Sequence, residues 1–283
     1  MTSRVLIATC AEWPDLVADE ELVVPALAAL GIAAEPGVWT DPDVDWSADA
    51  VVVRTTWDYF DRRDEFVTWA DRVGASTPMW NSPQVIRRNT DKRYLGELAA
   101  AGVPIVPTEW IAVAAEFDLA ELLERRGWDV AVVKPTVSAG ARDAMKVTAA
   151  TVDAATDLVR RVTTSREVMV QPYLESVEEY GERALVFFDG ELSHAVRKHP
   201  MLAGATSPFE ADPAVPAADE IALAEQVLGT VDDELLYARV DVARFADGSP
   251  VLMELELTEP RLFLGDADGA AGRLAAAIAR RIS

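Results

Sequence analysis

The feature that most constrains the fold is a hairpin signature over residues 237–257, which read "YARVDVARFADGSPVLMELEL". Two segments of alternating apolar and polar residues flank Asp247-Gly248, and an Asp-Gly pair in that position favours a tight β-turn. A loop of two or four residues about this pair predicts that Asp241 lies directly opposite Glu254. A loop of three residues would break that register.

The second strand of this hairpin carries its acids on one face. Alternate residues of a strand share a face, which predicts that Glu254 and Glu256 lie side by side together with Leu252. The same register places Arg239 opposite Glu256 and brings Asp241 to the two glutamates. Opposed like charges repel, so a cation is expected between them, and an all-oxygen set suits Mg²⁺. A solvated face is the usual explanation for one Glu pair, but three converging acids favour a metal site.

The overall charge limits the partners of the chain. Forty-eight acidic and 26 basic residues among 283 give a net charge of −22, which argues against nucleic acid or an anionic membrane as a partner. A single cysteine, Cys10, excludes an intramolecular disulfide and a CxxC zinc site. No apolar run is long enough for a signal peptide or a transmembrane helix, so a cytoplasmic location is expected.

The first part of the chain alternates between strand and helix patterns. Residues 4–9 and 50–54 are β-rich, with a helical pattern between them, which predicts a Rossmann-like βαβ domain over residues 1–86. Ligands of such folds bind at the carboxyl ends of the strands. A guanidinium, acids and indoles there would suit a small zwitterion, which predicts these substrate residues: Glu12, Trp13, Arg54, Trp57 and Asp58. The alternative is that the two tryptophans only pack against a neighbouring domain.

Two lysines in the middle of the chain are candidate anion ligands. Lys92 is predicted in the first turn of a helix that begins near Asn89 or Thr90, where a cation needs an anion nearby. A surface lysine is the alternative. Lys134 ends a strand that runs into a loop of small residues, including Ser138 and Gly140, and such loops let backbone N–H groups approach phosphate.

A second Asp-Gly hairpin, "ERALVFFDGELSHAVRK", predicts Glu182 opposite Arg197. Residues 203–219 are rich in Ala, Pro and acids, and this composition predicts a flexible loop. No GxGxxG, GxxxxGK[ST] or GxSxG motif occurs, so dinucleotide-fold, P-loop and serine-hydrolase interpretations lack their signatures.

Four segments in this order resemble the ATP-grasp superfamily of ATP-dependent ligases: "NTDKRYLGELAAAGVPIVPT", "VVKPTVSAGARD", "VMVQPYLESVEEYGERALVFFDGELSHAVRK" and "YARVDVARFADGSPVLMELELTEPRLFL". Within it the chain is most similar to the O-ureido-serine cyclo-ligases of cycloserine biosynthesis. The resemblance implies an α/β (α+β) ATP-grasp fold, in which the first domain is followed by two α+β subdomains that clasp ATP. Their expected limits are 87–170 and 171–283.

The resemblance also assigns roles to individual residues. It implies ATP contacts through Lys92, Lys134, Ser138, Gly140, the adenine hinge Gln171, Tyr173 and Leu174, and the ribose-binding Glu182. It implies Mg²⁺ ligands at Asp241, Glu254 and Glu256, the last being Asn in many relatives, and candidate catalytic cations at Arg197, Lys198 and Arg239. Between Arg197 and Lys198 the choice stays open, because the alignment favours Lys198 and the expected shared face with Glu182 favours Arg197.

The function implied by the resemblance is an ATP- and Mg²⁺-dependent ligase or cyclo-ligase. It would activate a small amino-acid-like substrate as an acyl phosphate and then form a C–N bond, with the loop at 203–219 as a lid. A homodimer is one option for its assembly. The alternatives are a small-molecule phosphotransferase and a nucleotide-binding regulator.

Overall fold

A computed structural model of the chain describes residues 3–140, 142–199 and 211–282, and it contains three β-sheets. The first sheet is parallel, in the order β2-β1-β3, and confirms the predicted βαβ alternation. Strands β1 and β3 are buried along almost their whole length, as expected for a parallel sheet covered on both faces. Its elements are β1 (Arg4–Thr9), α1 (Ala18–Glu21), α2 (Val23–Ala28), β2 (Ala33–Val38), β3 (Ala50–Thr55) and α3 (Arg63–Gly74).

The second sheet is antiparallel, in the order β4-β7-β5-β6, and two helices lead into it. The segment comprises α4 (Pro83–Asn89), α5 (Tyr94–Ala100), β4 (Glu109–Ile111), α6 (Leu119–Arg126), β5 (Ala131–Pro135), β6 (Met145–Val147), α7 (Val152–Val162) and β7 (Val168–Pro172). The prediction that Lys92 lies in the first turn of a helix is wrong, because α4 ends at Asn89 and α5 begins only at Tyr94. Lys92 therefore lies in the turn between two helices.

The third sheet is antiparallel, in the order β10-β9-β8-β11-β12, and contains both predicted hairpins. Its segment comprises α8 (Ser176–Glu179), β8 (Glu182–Phe188), β9 (Glu191–Lys198), β10 (Ala211–Ala214), α9 (Ala218–Leu228), β11 (Tyr237–Arg244), β12 (Pro250–Glu256) and α10 (Ala270–Arg281). The prediction of a flexible loop over 203–219 is wrong where β10 and α9 form, and residues 203–210 lie outside the described part. The mixture of one parallel and two antiparallel sheets confirms the predicted fold class.

The register of the β11–β12 hairpin agrees with the prediction at the acids. Asp241 pairs with Glu254 and Arg239 with Glu256, but nearer the turn the pairing is displaced by one residue, with Val242 opposite Leu252. Met253 is the extra residue that restores the register, which makes it a β-bulge. Leu252 is therefore fully buried in the core. The prediction that it shares a face with Glu254 is wrong.

The predicted register of the β8–β9 hairpin is wrong by one residue. The pairing shifts between Val186 and Phe187, so Glu182 lies opposite Lys198 and Arg183 lies opposite Arg197. An Asp-Gly turn indicates the position of a hairpin but does not reveal a bulge further along the strands.

Side chains from the helical segment hold the free edge of β12. The Asn89 amide donates to the carbonyl of Leu255 at 2.8 Å and accepts from the backbone N–H of Leu257 at 2.7 Å. The Tyr94 hydroxyl accepts from the N–H of Leu255 at 2.9 Å. These bonds satisfy backbone groups that a neighbouring strand would otherwise pair, and they fix the strand that carries Glu254.

The three sheets share cores across the predicted domain limits. Helix α10 packs against α2, so one core joins Ile7 and Leu27 of the first domain to Leu274 of the last helix. Strand β7 crosses the predicted limit at 170/171, and the limits 1–86, 87–170 and 171–283 stay predictions. In the described ranges no helix has the length and apolar character needed to cross a bilayer.

Candidate active site

A cavity of about 390 Å³ opens between the second and third sheets and reaches the first domain. Two groups of side chains line it. The ionic cluster consists of Lys92, Lys134, Lys198, Arg239, Glu182, Glu254 and Glu256, with the buried Asp241 directly behind it. The aromatic cluster consists of Trp57, Tyr59, Glu259 and Phe263.

The two predicted ATP lysines both reach the cavity, but in different states. Lys92 Nζ donates to the carbonyl of Ser138 at 2.8 Å and lies 3.1 Å from Glu254. Burial alone would lower the pKa of Lys92, but the attraction of Glu254 outweighs it and the pKa is raised. Lys134 Nζ has no hydrogen bond or ion pair in the parts of the chain that the structure describes, and burial lowers its pKa although Glu254 opposes this. A buried ammonium without a partner is a strong site for an anion.

Asp241 lies at the centre of a buried charge network. Its Oδ1 accepts from Arg239 Nε at 2.8 Å, and its Oδ2 accepts from Arg239 Nη2 at 2.8 Å and from Lys198 Nζ at 2.9 Å. Lys198 also bonds Glu182, and Arg239 also bonds Glu256. Burial would raise the pKa of Asp241, but the two cations outweigh it and hold the pKa well below its usual range. Both oxygens of the carboxylate thus accept hydrogen bonds from cations.

The predicted metal ligands are only partly gathered. Glu254 and Glu256 line the cavity, whereas Asp241 is enclosed behind Arg239 and Lys198. Over residues 3–140, 142–199 and 211–282, no three His, Cys, Asp or Glu side chains converge as a metal site would require. Burial and repulsion from Glu254 raise the pKa of Glu256 to about 7, although its ion pair with Arg239 opposes the shift. The metal roles of these three acids stay predictions.

The predicted adenine hinge and phosphate loop line the cavity. Gln171 and Leu174 line the cavity, and the Gln171 side chain donates to Thr108 at 2.9 Å. The ring of Tyr173 lies under Lys146, whose Nζ is 3.5 Å from the ring centroid. Ser138 and Gly140 also line the cavity, and Gly140 has a φ of +61°, a conformation that favours glycine.

The open choice between Arg197 and Lys198 has a geometric answer. Arg197 donates to the backbone carbonyls of Tyr180 at 3.0 Å and Glu179 at 2.8 Å and does not line the cavity. Lys198 shares a face with Glu182 and lines the cavity. The prediction of Arg197 as a catalytic cation is therefore contradicted, because the register shift in β8–β9 turns Arg197 away.

Of the five substrate residues predicted in the first domain, only Trp57 lines the cavity. Arg54 is 1% exposed and pairs with Glu20 through two bonds of 2.7 and 2.6 Å, while also donating to the carbonyl of Pro260. The prediction that Arg54 binds a substrate carboxylate is wrong, because its guanidinium is consumed in a buried ion pair.

The other three predicted residues also lie outside the cavity lining. Asp58 accepts from the indole of Trp39 at 2.7 Å, and Glu12 and Trp13 are exposed in the loop after β1. The segment after β3 reaches the cavity through Trp57 and Tyr59, whereas the predicted side chains of the first domain other than Trp57 do not line it. Which of them face the cavity depends on packing against the third sheet.

Sequence reasoning missed several cavity residues, among them Tyr59 and Glu259. Tyr59 donates a hydrogen bond to Glu259 and is 3% exposed. Burial, followed by repulsion from Glu256, raises the pKa of Glu259 to about 8. The signal was present: Glu259 follows Glu256 by three residues, and Tyr59 follows Trp57 by two.

Comparisons with known proteins agree with this geometry. Residues 5–81 match the model of the D-cycloserine synthetase DcsG N-terminal domain. The chain is 39% identical over 280 residues to the cycloserine biosynthesis protein DcsG of Streptomyces lavendulae, covering 92% of each protein. A crystal structure of D-cycloserine synthetase DcsG superposes with a TM-score of 0.91 at 33% identity, covering 99% of this chain and 100% of that one.

Two more distant structures share the fold. D-alanine–D-alanine ligase from Bacillus anthracis, complexed with ATP, has a TM-score of 0.70 at 16% identity, covering 99% of this chain and 97% of that one. The ATP-grasp ligase PsnB, complexed with a minimal precursor, Mg and ADP, has a TM-score of 0.67 at 19% identity, covering 100% and 99%. The chain therefore belongs to the DcsG family of ATP-grasp enzymes and is an ATP-dependent ligase.

Proposed function

We propose that this ligase uses ATP to phosphorylate the carboxylate of a small amino-acid-like molecule and then forms a C–N bond at the activated carbon. One observation carries the proposal: a single cavity is lined both by the ionic cluster and by the aromatic cluster. The first can hold a polyphosphate, and the second offers apolar walls and one acid to a small polar molecule.

The nucleotide has a natural place in the ionic cluster. The unpartnered ammonium of Lys134, together with Lys92 and Lys198, supplies positive charge for phosphates, and Glu182 is available for the ribose hydroxyls. Residues 171–174 supply backbone for adenine. A magnesium ion would be held by Glu254 and Glu256, which line the cavity, and by Asp241 once a cation releases it. Its chemistry is to neutralise charge on the phosphates.

The proposed reaction has two steps. An oxygen of the substrate carboxylate attacks the γ-phosphorus of ATP, and the bond from that phosphorus to the bridging oxygen breaks, which releases ADP. A nitrogen lone pair then attacks the acyl carbon, phosphate leaves with the former carboxylate oxygen, and the nitrogen loses a proton. Acyl phosphates hydrolyse readily, so burial of the site between sheets would protect the intermediate from water.

Cyclisation is the proposed form of the C–N step. The support is the 39% identity to a protein named for cycloserine biosynthesis, over 92% of both chains. In an O-ureido-serine-like molecule, the attacking nitrogen and the activated carboxylate belong to one substrate, so a second amine needs no binding site.

An ADP-release screen tests the proposal. The D- and L-forms of O-ureido-serine and the common amino acids are each incubated with ATP and Mg²⁺, with and without hydroxylamine or ammonia as an amine acceptor. Mass spectrometry identifies the product. We expect one O-ureido-serine enantiomer to stimulate ADP release without an added amine, to give a product lighter than its substrate, and to lose all stimulation in EDTA.

Three outcomes would contradict the proposal. A stable phosphorylated product would indicate a phosphotransferase. Stimulation only when an amine acceptor is present would replace cyclisation by intermolecular ligation. No stimulation by any compound that carries a carboxylate would remove the substrate class altogether.

A further inference from the structure

The acids that line the cavity differ in whether a cation of the protein pairs with them. Three are paired, Glu182 with Lys198, Glu254 with Lys92 and Glu256 with Arg239. Glu259 lines the same cavity, yet within the described ranges 3–140, 142–199 and 211–282 no Lys, Arg or His nitrogen lies within 4.0 Å of its carboxylate. In the described part of the chain, its hydrogen-bond donor is the neutral hydroxyl of Tyr59. Glu259 is therefore the cavity acid that has a place for a cation from outside the protein.

The backbone around Glu259 is held rigidly by other segments. The indole of Trp57 donates to the carbonyl of Glu259 at 2.9 Å, and the buried guanidinium of Arg54 donates to the carbonyl of Pro260. Arg239 donates to the carbonyl of Arg261 at 3.1 Å. Each bond uses a backbone oxygen, so the loop is fixed while the carboxylate of Glu259 is left to the cavity. A binding group on a fixed backbone is preorganised.

The surroundings of Glu259 suit an ammonium group. Trp57 and Tyr59 line the cavity with it, and the faces of aromatic rings attract cations, whereas the Phe263 ring already has the Arg261 guanidinium 4.8 Å from its centroid. Phe263 already lies 5.7 Å from the guanidinium carbon of Arg239, so the aromatic cluster directly adjoins the ionic cluster. A substrate with its amino group at Glu259 could thus present its carboxylate toward the phosphate-binding side.

We propose that Glu259, positioned by Tyr59 and by the anchored loop, is the residue that binds the primary amino group of the substrate. This inference rests on the proposed function, because it concerns the amino-acid-like substrate of the same cavity. It replaces the first-domain acids Glu12 and Asp58 in that role. It also defines the substrate class more narrowly, as a small carboxylate that carries a protonated primary amine.

The test compares O-ureido-serine with its desamino analogue, 3-(ureidooxy)propanoic acid, which keeps the carboxylate and the ureido group. Isothermal titration calorimetry gives Kd for both, and ADP release gives kcat and KM. We expect wild type to bind the amine-bearing compound about 10- to 100-fold more tightly, the range for a hydrogen bond to a charged group. Glu259→Gln should lose that preference and bind the desamino analogue as wild type does.

Further variants separate recognition from structure. Tyr59→Phe removes the hydroxyl but keeps the ring, and we expect it to weaken binding of the amine-bearing compound by about 2- to 10-fold. Glu124→Gln, on an exposed position of α6, is the matched control and should behave as wild type. Thermal unfolding of each variant confirms that it is folded.

Several results would overturn the inference. One is a Glu259→Gln variant that is folded and still prefers the amine-bearing compound as strongly as wild type. Another is loss of the preference in Asp58→Asn and not in Glu259→Gln. If wild type is stimulated equally by both compounds, the proposed ligase function survives and the assignment of Glu259 does not. If neither compound binds or stimulates, both fail.

Discussion

The ionic cluster and the aromatic cluster line one cavity but solve different electrostatic problems. In the ionic cluster, acids and cations interlock, and Asp241 alone accepts three hydrogen bonds from two cations. In the aromatic cluster, Glu259 is accompanied by rings and one hydroxyl. The difference teaches that charge density alone does not mark a ligand site. Paired groups such as Asp241 also hold the structure together. In the described part of the cavity, Lys134 and Glu259 have no ion-pair partner, and they indicate what is to be bound.

Asp241→Asn should have the largest effect, because it removes the charge that two buried cations share. Breaking a buried ion pair from one side costs about 3 to 5 kcal/mol in the free energy of unfolding. Thermal and urea unfolding measure this cost, and turnover should be lost as well. A variant as stable as wild type would show that Arg239 and Lys198 do not depend on Asp241, which would break the distinction between paired and unpaired groups.

Arg54→Ala extends the comparison to the support beneath the aromatic cluster. Glu20 would be left buried and unpaired, which again costs about 3 to 5 kcal/mol of stability. The double variant Arg54→Met with Glu20→Leu should recover most of that loss, because an apolar pair can replace a buried ion pair. If Arg54→Ala is stable and only raises KM, then Arg54 contacts substrate after all.

Lys134→Ala should affect turnover rather than stability, unlike the Asp241 and Arg54 variants. It removes a charge that has no partner in the described chain, so unfolding should change little, while turnover should fall by about 10²-fold or more. Arg160→Ala, which removes an exposed charge on α7, is the matched control. Full ADP release by the Lys134→Ala variant would remove this lysine from the site.

The sequence predicts the ionic cluster better than its surroundings, for physical reasons. The Asp-Gly turn indicated that Asp241 faces Glu254, although the agreement also needed the bulge at Met253, which no local signal announces. The bulge in β8–β9 was equally invisible and made Arg197 a wrong choice. Arg54 and Glu259 could not be assigned because their roles depend on Glu20, Pro260 and Tyr59, and these contacts are made only by tertiary packing.

A further expected effect is the pH dependence of stability. Burial, followed by repulsion from Glu256 and Glu254, raises the pKa of Glu259 from its ordinary value of 4.5 to about 8. Tyr59 and Lys92 oppose this shift. The folded state therefore holds the proton more tightly than the unfolded chain, and this contribution to stability is lost as the pH rises through about 8.

Glu259→Gln removes that titration. As the pH rises from 5.5 to 8.5, wild type should lose stability that the variant keeps. The Tm of the variant should therefore rise relative to that of wild type, by about 2–4 °C for each kcal/mol of difference. The exposed Glu124→Gln variant is the control and should follow wild type at both pH values. A Glu259→Gln variant whose Tm parallels wild type across this range would show that Glu259 is compensated in the free protein.

The central claim is that one cavity activates a substrate carboxylate with ATP, and isotope transfer tests it most directly. O-ureido-serine, or whichever compound the screen identifies, is labelled with ¹⁸O in its carboxylate and turned over in unlabelled water. The account predicts that each released phosphate carries one ¹⁸O, because the bond from carbon to that oxygen breaks when nitrogen attacks. Unlabelled phosphate, with both ¹⁸O atoms retained in the organic product, would contradict it.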